Sequence, residues 1–131
     1  MTNTDTTTNT DTEVAAVVDA YLASLDEADD AVRADLVAKA WAPDGRFVDP
    51  LQEYNGHDEL QTINPTIQQH YPGARFRRVS GIDAHNDYVR FAWDMTAADG
   101  SQIIAGIDIG QLGPDGRLLS VTGFFGDVPD A

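Results

Sequence analysis

The sequence predicts an α+β fold in which helices gather ahead of an antiparallel sheet. Three observations carry this. Apolar residues recur at helical spacing early in the chain. They alternate with polar ones in the second half. The strand-like runs there are joined by turn-length segments.

The first helix spans Glu13 to Leu25, with Val14, Val17, Val18, Tyr21, Leu22 and Leu25 on one face. Asp29 or Asp30 can cap a second helix. Its expected apolar stripe is Val32, Leu36, Ala40 and Trp41, and Pro43-Asp44-Gly45 stops it. Arg46-Phe47-Val48-Asp49 reads as a short strand ended by Pro50. A third helix runs from Gly56-His57 to about His70 and is closed by Tyr71-Pro72-Gly73; Pro65 inside it predicts a kink or a restart. Strands then follow over Arg75–Asp83, Tyr88–Thr96, Ser101–Leu112 and Arg117–Phe125. Turns fall at His85-Asn86-Asp87, Asp99-Gly100 and Gly113-Pro114-Asp115-Gly116. In the second of these strands Val89, Phe91, Trp93 and Met95 share one face, and Tyr88, Arg90, Ala92 and Asp94 share the other.

A chain of 131 residues is expected to form one domain, here over residues 13–131, behind a Thr/Asn/Asp-rich tail at residues 1–12 expected to be disordered. That tail lacks the apolar stretch of a signal or transit peptide, and no run of 18 apolar residues exists, so a cytoplasmic protein without a membrane span is expected. With no cysteine there is no disulfide, no thiolate nucleophile and no cysteine metal site. A net charge of −14 argues against nucleic acid or an anionic membrane as partner. Lys39 stands against seven arginines, and 18 Asp against four Glu; so acidic and lysine-poor a surface is compatible with a salt-adapted source.

Asp108 is the most informative position. It lies in the run Ile103-Ile104-Ala105-Gly106-Ile107-Asp108-Ile109-Gly110, and its neighbours on the same strand face, Gly106 and Gly110, leave space beside it. A carboxyl buried there must find a partner or stay protonated. On a solvated face it would need neither. Tyr21 and Asp49 also have two readings each. Tyr21 is a core tyrosine with a backbone partner, or a phenol aimed at a ligand. Asp49 ends a strand and accepts turn hydrogen bonds, or belongs to a site. Trp41, Phe47, Phe76, Trp93 and Phe125 are core residues first, and some of them are expected to wall a substrate-binding cavity if the fold is open. His57, His70 and His85 lack metal-ligand spacing, so no metal is expected. His57 and His85 are expected to be exposed, with a general acid at the pocket mouth as the other option. No phosphate loop, dinucleotide fingerprint or nucleophile elbow occurs, and Arg75, Arg77 and Arg78 form the single basic cluster.

The segments Val17-Val18-Asp19-Ala20-Tyr21-Leu22-Ala23-Ser24-Leu25, Phe47-Val48-Asp49-Pro50, Gly106-Ile107-Asp108-Ile109, Asp115-Gly116-Arg117-Leu118-Leu119-Ser120-Val121 and Phe124-Phe125-Gly126 occur in an order that resembles the nuclear-transport-factor-2-like superfamily, in its SnoaL-like and ketosteroid-isomerase-like branch. The match covers roughly residues 12 to 128. The resemblance implies a cone-shaped α+β fold, with three N-terminal helices packed on a curved antiparallel or mixed sheet. It implies a catalytic set in which Asp49 shuttles a proton, while Tyr21 and a protonated Asp108 donate hydrogen bonds to a developing enolate oxygen. The expected ligand is a small hydrophobic carbonyl or polyketide-like compound, turned over without a cofactor. A polyketide cyclase, dehydratase or epoxide hydrolase and a non-catalytic ligand-binding or interaction module are the alternatives. A homodimer is expected, with Ile103, Ala105, Ile107 and Ile109 on the face opposite Asp108. The helix-three segment Leu60-Gln61-Thr62-Ile63-Asn64-Pro65 has no second tyrosine of the kind that supports some steroid isomerases, so a steroid is not specifically implied.

Overall fold

The computed structural model describes residues 11–131; most of the expected polar tail, residues 1–10, lies outside them. Helix α1 (Asp11–Asp26) begins two residues before the expected start, and α2 covers Asp30–Ala40. Strands β1 (Trp41–Val48) and β2 (Glu53–Asn55) form a hairpin, followed by helices α3 (Gly56–Leu60) and α4 (Ile63–His70). Five strands complete the chain: β3 (Arg75–Arg78), β4 (Asp83–His85), β5 (Tyr88–Thr96), β6 (Gln102–Leu112) and β7 (Leu118–Phe125).

The strands make one curved mixed sheet in the order β2-β1-β7-β6-β5-β3, with β4 also paired to β5. All pairings are antiparallel except that of β1 with β7, which brings the Phe47–Asp49 segment beside the last strand. The helices cover one face. Val14, Val18, Tyr21, Leu22 and Leu25 of α1 meet Val89, Phe91, Trp93 and Met95 of β5 in a single core. Among the described residues no helix is long and apolar enough to cross a membrane.

Four local expectations are corrected. Trp41 is not the last residue of the second helical stripe but the first of β1, because the chain turns extended there (φ −116°, ψ 140°). The buried side of α2 is Arg33, Val37 and Ala40, while Val32 is exposed. Periodicity missed this because the side chain that anchors the helix is a cation. Arg33 Nε donates to the Gln61 carbonyl at 3.0 Å, and Nη1 donates to the carbonyls of Glu27 at 2.9 Å and Ala28 at 3.3 Å. One guanidinium thus satisfies three backbone acceptors from two connections. The third helix is two, broken at Gln61-Thr62, so the restart expected at Pro65 is present but lies just ahead of it; Pro65 sits in the first turn of α4, where its missing N–H costs nothing. The strand expected over Arg75–Asp83 is two short strands, β3 and β4, both paired to β5.

The basic cluster is internally matched. Arg77 holds the buried Asp94 through two bonds, 2.7 and 2.9 Å, Arg75 pairs with Asp26 and Arg78 with Asp19.

Candidate functional site

Tyr21 points inward because α1 presents its apolar face to the sheet. Its ring stands edge-on to Trp41, with centroids 5.7 Å apart, and also touches Phe91 and Phe47. The hydroxyl leaves this aromatic nest at one place and donates to Asp108 Oδ2 at 2.7 Å. Asp108 is 2% exposed, so the carboxyl is on the covered sheet face. A second donor reaches it: Trp93 Nε1–H binds Oδ1 at 3.0 Å.

The glycines around Asp108 have different duties from those their spacing suggests. The space at Gly106 is filled by the Trp93 indole, whose Cζ2 lies 2.6 Å from where a Cβ would stand. That at Gly110 is filled by Leu118 and Val89. Room for the carboxyl itself comes from Gly123, directly opposite Asp108 across the β6–β7 ladder. A Cβ there would stand 3.0 Å from Asp108 Oδ1 and 3.4 Å from Asp49 Cβ.

Asp49 follows β1 and reaches the same place through the parallel β1–β7 pairing. Its Oδ1 accepts the backbone N–H groups of Leu51 at 2.8 Å and Gln52 at 3.0 Å, so the turn role expected of an Asp before proline is present. Asp49 also lines the cavity, and Oδ2 accepts no hydrogen bond from the described residues.

The cavity holds about 400 Å³, inside the usual range for small-molecule sites. Tyr21, Asp49, Asp108, Phe47, Phe76, Trp93 and Phe125 all line it, and no lysine or arginine does. Trp41 is the exception among the expected wall residues: it is buried behind Tyr21 and does not reach the cavity. Of the histidines, His70 lines the cavity. His57 Nε2 is engaged with the Trp41 carbonyl at 2.9 Å, and His85 lies on the exposed β4. Gln52 and Thr66 join His70 as polar lining groups that the sequence did not single out; all three sit on segments brought over the sheet only by the fold. Ile103, expected on the outer face, lines the cavity instead, because the β5–β6 register shifts beside it and breaks the alternation.

Burial sets the electrostatics. It pushes the Asp108 carboxyl up to about 6, and the nearby charge of Asp49 adds to this, while the hydrogen bonds from Tyr21 and Trp93 oppose it. The Tyr21 phenol is raised well above its ordinary value, first by burial and then by the Asp108 charge. Tyr21 and Asp108 are therefore bonded to each other, and do not stand as two free donors side by side. Among the described residues no three His, Asp or Glu side chains gather as a metal cluster.

Solved structures share this architecture. A candidate isomerase of the SnoaL-like family from Agrobacterium tumefaciens strain C58 is 33% identical, with a TM-score of 0.82 over 88% of this chain and 99% of that one. An NTF2-like protein of unknown function from Exiguobacterium species 255-15 is 23% identical, with a TM-score of 0.64 over 86% of this chain and 99% of that one. A candidate SnoaL-like polyketide cyclase from Jannaschia species CCS1 is 13% identical, with a TM-score of 0.68 over 87% and 85% of the two chains. The last two likenesses concern the fold alone. No protein-family model matches the sequence, and no curated protein matches it.

Proposed function

Because this chain belongs to the SnoaL-like family, we propose that it is an enzyme that moves a proton on an apolar carbonyl compound, as a cofactor-independent keto–enol or double-bond isomerase. The observation that carries the reading is the Tyr21–Asp108 pair, 2.7 Å apart, sharing one apolar cavity with Asp49. Asp49 takes a proton from the carbon beside the ketone through Oδ2, while its Oδ1 stays anchored on the Leu51 and Gln52 amides. The Tyr21–Asp108 pair supplies the hydrogen bond that the oxygen needs as negative charge develops on it. Asp49 then returns the proton to a second carbon of the enolate. Phe47, Phe76, Trp93 and Phe125 exclude water, and with no lysine or arginine on the wall an uncharged substrate suits the site better than an anionic one.

Turnover of β,γ-unsaturated cyclic ketones, followed by the absorbance of the conjugated product, tests the reading. Asp49→Asn is expected to lower kcat by about 10²- to 10⁴-fold with little change in the affinity for a phenol such as 2-naphthol. Undiminished turnover in Asp49→Asn would remove the assignment of the base. A wild-type protein that converts none of these ketones would remove the isomerase.

His70 favours a second reading as a cyclase, dehydratase or epoxide hydrolase. Its Nδ1 is engaged with the Thr66 carbonyl at 2.9 Å, which leaves Nε2 as a further acid or base at the cavity wall. Loss of activity in His70→Gln on a β-hydroxyketone, with ketone isomerisation intact, would support it. Binding of these compounds without any turnover would support a non-catalytic ligand-binding module.

We also propose a homodimer. Tyr88, Ile107, Ile109 and Phe124 are exposed large side chains on the three adjoining strands β5, β6 and β7, and a second copy would cover them. Sedimentation is expected to give twice the chain mass, and Ile107→Lys/Phe124→Lys to give the monomer. A monomeric parent at micromolar concentration removes the proposal.

A further inference from the structure

Trp93 occupies a built position. It pairs with Gly106 across β5 and β6, and the missing side chain there lets the indole lie along β6 as far as Asp108. Phe76 at 5.5 Å and Phe125 at 6.0 Å between centroids hold the ring, Phe125 edge-on. The N–H that results is aimed at Asp108 Oδ1, and an indole nitrogen can only donate. Oδ1 is therefore an acceptor whether or not Asp108 is protonated.

A neutral carboxyl has one O–H. A carbonyl oxygen accepts more strongly than a carboxyl O–H oxygen, so the Trp93 donor on Oδ1 favours placing that hydrogen on Oδ2, where the neighbouring atom is the Tyr21 oxygen. Tyr21 must then accept from Asp108, and its own hydrogen turns away towards the cavity. When Asp108 is ionised, the Tyr21 hydrogen lies on Oδ2 and the phenol shows the cavity only lone pairs.

We propose that Trp93 is a positioning residue that wires Tyr21 and Asp108 in series: it confines the Asp108 proton to Oδ2, so that Asp108 turns the Tyr21 hydrogen onto a bound oxygen and does not donate to that oxygen itself. The catalytic consequence rests on the proton-transfer reading above; the wiring does not. The groups that bear on Asp108 are Tyr21 from α1, Asp49 from the segment after β1 and Trp93 from β5, with His70 of α4 on the same cavity. From β7 the facing residue is Gly123, which carries no charge. With the Asp108 carboxyl pushed up to about 6, both states are accessible near neutrality.

The experiment follows the two indole N–H resonances of the ¹⁵N-labelled full chain between about pH 4 and pH 8. The Trp93 signal, identified by its loss in Trp93→Phe, is expected to titrate with the same midpoint as the Asp108 carboxyl carbon and to become flat in Asp108→Asn. In Trp93→Phe the Asp108 midpoint is expected to rise, because a donor to the charged form is gone. A Trp93 resonance unmoved through the Asp108 titration overturns the proposal even if that variant fails to fold. Series wiring is read from 2-naphthol affinity at about pH 5: the Tyr21→Phe/Asp108→Asn double variant should lose no more than Tyr21→Phe alone, whereas multiplying losses mean two parallel donors. If 2-naphthol fails to bind the parent, the ligand-site reading falls, and the indole titration still decides the role of Trp93.

Discussion

Asp108 and Gly123 face each other across the β6–β7 ladder, and a methyl group on the glycine would stand 3.0 Å from the Asp108 Oδ1 atom. The carboxyl occupies space lent by its cross-strand partner, and the same glycine separates it from Asp49. Gly123→Ala is expected to fold, because only side chains must give way, and to displace Asp108 from Trp93 or Tyr21. Gly106→Ala is a different case: its Cβ would run into the Phe124 carbonyl oxygen, which is backbone, as well as the Trp93 ring. Expression of both variants with thermal melts should show a folded Gly123→Ala and a severely destabilised Gly106→Ala; similar melts for the two would contradict this account of the site.

The raised Asp108 pKa has a definite sign in stability. Above the ordinary value of 3.8 an unfolded chain gives up this proton, while the folded one keeps it until about pH 6. The folded state therefore binds more protons in that window, and stability falls as pH rises through it, by about 3 kcal/mol from this group. Asp108→Asn cannot ionise. Urea unfolding should show the variant gaining on the parent by roughly that amount between about pH 4 and pH 8. A constant difference across the range would mean that the carboxyl is not held neutral by burial.

Arg33 carries no predicted function, yet it is 5% exposed and serves the carbonyls of Glu27, Ala28 and Gln61. Arg33→Ala strands those acceptors and is expected to cost about 2–4 kcal/mol in chemical denaturation. Arg33→Lys should recover only part, since one ammonium cannot reproduce the spread of the guanidinium donors. A loss below about 0.5 kcal/mol would show that water replaces the clasp.

With a net charge of −14, the folded chain repels itself more than the expanded one does. Salt at molar concentration shortens the screening length to about 3 Å and should raise the melting temperature. Equal midpoints in dilute and molar KCl would count against a charge-limited surface.

Most of the helices and strands, and the side chains that meet at the cavity, are legible one segment at a time. The 3.6-residue spacing of α1 put Tyr21 on its buried face, strict alternation in β5 put Trp93 there, and the apolar run around Asp108 marked a carboxyl with no local reason to be present. These signals are local, so one strand or helix is enough to read them. What those side chains touch depends on how the segments assemble. Continuing the Leu112–Leu118 pairing without a shift would set Thr122 opposite Asp108; the irregularity at Gln111–Leu112 brings Gly123 there instead and opens the space that the carboxyl fills. The parallel β1–β7 contact brings Asp49 to the same cavity from more than fifty residues away, and α4 adds His70. Register and strand order arise from the summed packing of the whole sheet. A period read along one segment therefore tells which face a residue takes, and not which atom waits on the other side.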